Sequence, residues 1–95
     1  MLDYENTQNL IKRKKAQILG LKGELRNTDY KAIKYAEGWL TDEEYSTVKA
    51  ERQALRDKIN ALEIEVKELE VVIEEQEKLQ EQQRAEELAE FEGEV

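Results

Sequence analysis

Cysteine, histidine and proline are all missing from these 95 residues, phenylalanine and tryptophan occur once each, and no long apolar run interrupts a strongly charged chain. Without cysteine there are no disulfides and no thiolate metal ligands. Without histidine as well, the Ser-His and Cys-His nucleophile systems cannot be built, and carboxylates on open helix surface have nothing to turn them into acid/base catalysts. No calcium loop, phosphate loop or dinucleotide fingerprint occurs. The sequence therefore predicts a protein that is not an enzyme, with no catalytic residue, no metal site, no cofactor and no small-molecule ligand. It also lacks an apolar stretch suited to a signal peptide or a membrane span, so no membrane partner is expected and the expected location is the cytoplasm.

What fills the chain is charge, 40% of the residues, together with Ala, Leu, Ile, Gln and Val. That is the composition of coiled coils and long helices, and it argues against a parallel sheet. Ninety-five residues arranged as two helices have a seam and no globular interior, so a sizeable pocket is not expected. The net charge of −8 is unevenly placed. Residues 1–35 carry 8 basic and 4 acidic groups, and residues 36–95 carry 7 basic and 19 acidic. The two parts should attract each other, and the acidic whole argues against direct nucleic-acid binding.

Apolar spacing supplies the architecture. Tyr4, Ile11, Ile18, Leu25, Ala32 and Trp39 recur every seven residues, with Leu21 and Tyr35 between them, and predict a helix over about 5–37. Gly20 and Gly23 weaken it, and Asn27-Thr28-Asp29 could interrupt it. Gly38 suits a left-handed turn. Thr41-Asp42-Glu43-Glu44 then reads as a capping box, stapled by Leu40 and Tyr45, which opens a second helix from 42 to about 90. Its seam positions are Tyr45, Val48, Arg52, Leu55, Ile59, Leu62, Val66, Leu69 and Ile73, turning polar at Gln76, Gln80 and Gln83.

The two tracks mirror each other about residue 40, so that positions summing to 80 meet if the chain folds back: Ile11 with Leu69, Ile18 with Leu62, Leu21 with Ile59, Leu25 with Leu55, Tyr35 with Tyr45. The expected fold is all-α, an antiparallel two-helix coiled-coil hairpin over 1–76 with a turn at 38–41. An acidic helical extension over 77–95 should protrude and end in a disordered Glu92–Val95 tail. In this register flanking charges match as Glu24 with Lys58, Lys31 with Glu51, Lys15 with Glu63 and Asp29 with Lys49, while Lys22 faces Arg56. The run Lys12-Arg13-Lys14-Lys15 spreads around its helix and reads as internal charge matching to Glu63, Glu65, Glu68 and Glu70.

Candidate contact surfaces follow from what the seam leaves over. Leu19 and Ile33 fall on an outer track of the first helix, and Ile64 and Val71 on an outer track of the second, which predicts self-association into a dimer or larger oligomer, or a protein partner. Trp39, with Tyr30, Tyr35 and Tyr45, gathers near the turn and is expected to cap the open end of the seam, or else to anchor a partner. Glu68, Glu74 and Glu75 belong to a glutamate run that is either a solvated face or an imitation of a phosphate backbone.

The stretch Asp29-Tyr30-Lys31-Ala32-Ile33-Lys34-Tyr35-Ala36-Glu37-Gly38, with Thr41-Asp42-Glu43-Glu44-Tyr45 and Glu51-Arg52-Gln53-Ala54-Leu55-Arg56-Asp57-Lys58-Ile59-Asn60-Ala61-Leu62-Glu63, resembles a helical-hairpin segment of small phage and prophage proteins and of some phage tail-associated proteins. It covers about a third of the chain and leaves out both flanks. The resemblance implies a bacteriophage protein, found in the cytoplasm of the bacterial host or on the virion, whose partner is itself or a phage or host protein. It assigns no activity and no residue role. Two functions follow as expectations: a structural or assembly component, or an anti-CRISPR-like inhibitor of a host defence nuclease that uses the acidic helical surface.

Overall fold

The structure, a computed structural model, describes the backbone of residues 3–93 and the side chains of residues 3–89. It is all-α: α1 spans Tyr4–Asn27, α2 Asp29–Ala36 and α3 Asp42–Gly93, with no strand among the described residues. At about 1.5 Å per residue a 52-residue α3 accounts for the whole length of an 81 × 23 × 14 Å rod. The radius of gyration is 22.9 Å, against roughly 13 Å for a globule of similar chain length.

Each helix end has a chemical cause. Asp3 caps α1, its carboxylate accepting the Asn6 amide at 2.7 Å, and Thr7 donates its hydroxyl to the Asp3 carbonyl at 2.7 Å. That lets Thr7 sit fully buried in the seam, because its polar group is satisfied within its own helix. At the far end of α2, Gly38 adopts φ +85°, the Trp39 amide bonds the Lys34 carbonyl and the Gly38 amide bonds the Tyr35 carbonyl. These are the two bonds of a Schellman stop, which needs a residue that tolerates positive φ. At the start of α3 the Thr41 hydroxyl accepts the Glu44 amide at 3.1 Å, and the Glu44 carboxylate accepts the Thr41 amide at 3.2 Å. Both orphan donors are thereby used.

Between the arms, contacts rise in number along one as they fall along the other. The Tyr4 hydroxyl donates to Glu77, Lys14 pairs with Glu65 at 2.6 Å, Lys22 with Glu63, Asp29 with Arg52, and the Tyr35 and Tyr45 rings stack at 4.3 Å. Ile18, Ile59 and Val66 are buried, with Ile11, Leu21, Leu25 and Leu62 packed against them. Val48 and Arg52 are buried nearer the turn.

Three expectations are corrected, and one point left open is settled: the first helix is interrupted within Asn27-Thr28-Asp29, ending at Asn27 and restarting at Asp29. An uninterrupted helix would give the Leu25 carbonyl to the residue 29 amide, but here that oxygen accepts from the Thr28 amide, the Thr28 hydroxyl and Arg52. Lys15 pairs with Glu70 at 3.6 Å, Glu63 goes to Lys22, and Asp29 goes to Arg52 instead of Lys49. Helical side chains lean toward their own N-terminus, so the tip of Lys15 travels away from Glu63 and toward the higher-numbered Glu70. Trp39 does not cap the seam. It is 75% exposed, because the positive φ of Gly38 turns the chain off the helix axis just before it. Finally, α3 continues through Glu92 and Gly93, where a disordered tail was expected, since no proline or capping sequence stops it. Glu94 and Val95 lie outside the described residues.

Gly20 and Gly23 sit inside α1 with no atom within 4 Å of where a Cβ would project. Each Gly→Ala replacement should therefore stabilise the protein by up to about 1 kcal/mol, read as a higher midpoint in thermal denaturation followed by circular dichroism.

Candidate functional site

Along the seam lies an open groove of about 470 Å³ lined by Leu21 and Leu62, with Gly20, Ala61, Glu24 and Lys58 around it. Glu24 with Lys58, and Lys31 with Glu51, were expected to match across the seam, but neither pair forms among the described residues, since solvated side chains gain little by meeting. A second groove, about 420 Å³, runs past Ile11, Lys12, Lys15, Glu70 and Ile73. No group of three or more His, Cys, Asp or Glu is placed to hold a metal ion, and no helix is long and apolar enough to cross a membrane, among the described residues.

The candidate site is thus the outer surface. All the apolar residues singled out there are exposed: Leu19 at 71%, Ile64 at 58%, and Ile33, Trp39 and Val71 above half. They do not form one patch. Leu19 and Ile33 lie on the first arm, on either side of the break at Thr28, and Ile64 and Val71 on the far side of α3. Each set is nevertheless continuous with its own neighbours. On α3, Ile64, Glu68, Val71, Glu75, Leu79, Gln82 and Glu86 follow one another at three- and four-residue steps, all exposed, as one straight outer stripe. On the first arm Lys12, Ala16, Leu19, Gly23 and Arg26 are spaced likewise along α1, with Tyr30 and Ile33 beyond the break on α2, and only Gly23 is partly covered.

The glutamate run is divided by its partners. Glu63, Glu65 and Glu70 are held by Lys22, Lys14 and Lys15, whereas Glu68, Glu74 and Glu75 stay exposed and outside these ion pairs. Of the basic run, Lys14 and Lys15 are used across the seam, and Lys12 and Arg13 make no ion pair among the described residues. The acidic face open to a partner is therefore narrower than the sequence suggested.

At the turn, the Tyr35 ring stacks almost parallel on Tyr45, at 8°, and its hydroxyl donates to the Asp42 carboxylate in the first turn of α3. That bond, then the Asp42 charge, raises the Tyr35 hydroxyl above its ordinary 10.0. A raised value means the fold favours the protonated form. The contribution is complete below pH 10 and is lost as pH climbs through the raised value. Tyrosinate absorbance should accordingly show Tyr35 ionising later than a free tyrosine, and Asp42→Asn should bring it back; Tyr4, bonded to Glu77, follows the same sign.

One polar centre was missed by the sequence reading. Arg52, 7% exposed, sends Nη1 to the Leu25 carbonyl at 3.0 Å, the Thr28 hydroxyl at 2.7 Å and the Asp29 carboxylate at 3.0 Å. The signal was present: an arginine on an apolar track must find acceptors, and the mirror register sets it opposite Thr28. Compared with known proteins, the chain matches no family model, no curated sequence and no solved structure.

Proposed function

We propose that this chain is a phage-encoded antiparallel coiled-coil hairpin that works without catalysis, by stoichiometric protein contact, as a structural or assembly component. The observation that carries the reading is surface in excess of what a compact fold leaves open. The chain exposes 7771 Å², against roughly 5,700 Å² for a globule of its mass, and large apolar side chains stand on both arms outside the seam. A rod with a filled seam offers proteins a long surface and offers a small substrate nowhere to be enclosed. The antiparallel coiled coil is supported by the opposed order of the cross-arm pairs, the heptad spacing and the stop at Gly38. The phage assignment rests on the wording of Asp29–Glu63.

Quantitative mass spectrometry of purified particles and of infected cells tests the assembly role. A fixed copy number per particle is expected. Abundance in cells with none in particles would overturn it. A second reading, inhibition of a host defence nuclease, is favoured only by the exposed Glu68, Glu74 and Glu75. It requires a complex with the nuclease that weakens as salt is added.

A further inference from the structure

The two outer stripes are complementary to each other. One, on α3, sets Ile64, Val71 and Leu79 among the acidic Glu68, Glu75 and Glu86, with Gln82 between the last two. The other, on the first arm, is apolar with two basic residues: Lys12 and Arg26 among Ala16, Leu19, Tyr30 and Ile33. The α3 stripe covers about 33 Å of one helix, and the first-arm stripe runs from α1 onto α2 across the break at Thr28. All the residues just named are exposed, none of their charges is spent in an ion pair among the described residues, and the two stripes belong to the same chain. They cannot meet within one molecule, because each lies on the side of its own arm that is turned from the seam.

We propose that the occupant of each stripe is the other stripe of a second copy, so that α3 of one molecule packs its Ile64–Glu86 face on the Lys12–Ile33 face of the next. This rests on the protein-contact reading above and names the partner as the chain itself. Opposite charge along both faces favours a copy of this chain over an unrelated neutral surface, and the interleaved apolar residues supply the area that charge alone does not. Since the two faces point outward in different directions, the contact is heterologous. A dimer still presents one free stripe of each kind, and addition continues unless the rotation closes a ring.

Sedimentation velocity and light scattering of the full chain test this over a range of protein and salt concentrations. The wild type should exceed the mass of a dimer as concentration rises, and should lose mass as salt is added. A chain that stays monomeric, or an assembly indifferent to salt, overturns the proposal. Two charge-reversed proteins, Glu68→Lys with Glu75→Lys and Lys12→Glu with Arg26→Glu, should each self-associate at least about tenfold more weakly, because like charges then face each other. Mixed in equal amounts, they should assemble again, since each reversed face then meets its opposite. Assembly that survives both reversals, or that is not restored in the mixture, places the contact elsewhere and overturns the assignment. Circular dichroism of each variant confirms the helices, and the salt series on the wild type decides the matter even where a variant does not fold. A monomeric protein that is nonetheless counted in particles would sink this inference and leave the assembly role standing.

Discussion

Arg52→Ala is expected to lower the melting temperature by roughly 10–20 °C, corresponding to a loss of about 2–3 kcal/mol in a domain of this size. The guanidinium serves three acceptors from one nitrogen, and two of them, the Leu25 carbonyl and the Thr28 hydroxyl, are at the point where α1 gives way to α2. Removing it takes away those bonds and leaves a gap in a seam only two helices thick. The Asp29 side chain is 52% exposed and can be hydrated, so the loss falls below that of breaking a fully buried ion pair. Arg52→Met should be milder, because an apolar chain of similar length fills the gap. If thermal unfolding of the alanine variant matches the wild type, the cluster does not hold the break in place.

A comparable loss, about 2–4 kcal/mol, is expected for Ile59→Ala, whereas Ile64→Ala, five residues along the same helix, should change stability by less than about 0.5 kcal/mol. Ile59 is 6% exposed and belongs to the cluster with Ile18 and Val66, while Ile64 is 58% exposed on the outer stripe. The substitution removes the same atoms in both cases, so the difference isolates the seam. Urea denaturation of the two variants checks it at protein concentrations low enough to keep the chain monomeric. Equal losses would mean that the outer stripe is buried in the species measured.

Much of this arrangement was legible before any coordinates. The stop at Gly38, the cap formed by Thr41 and Glu44, the pairing of Tyr35 with Tyr45, and the seam built on Ile18, Leu21, Ile59 and Leu62 all follow from local chemistry and spacing. Exposure of Leu19, Ile33, Ile64 and Val71 follows from the same spacing read outward. Less legible were the residues whose role depends on reach. Lys15 and Lys22 choose partners by the lean of long side chains, which a list of facing positions ignores. Trp39 continued the heptad on paper, yet a single positive φ at Gly38 removed it from the seam.

Helix content and the place of the turn were legible in the sequence alone, because a cap needs only its four residues and a helical track needs only its own period. Local sequence marked Asn27-Thr28-Asp29 as a place where the first arm could divide. What tertiary structure decided is the polar cluster there, where a carbonyl at Leu25, a hydroxyl at Thr28 and a carboxylate at Asp29 converge on a guanidinium 23 to 27 residues away. No local preference brings these groups together. They meet because Arg52, carried into the seam by the apolar residues around it, must find acceptors there or stay unpaired out of water.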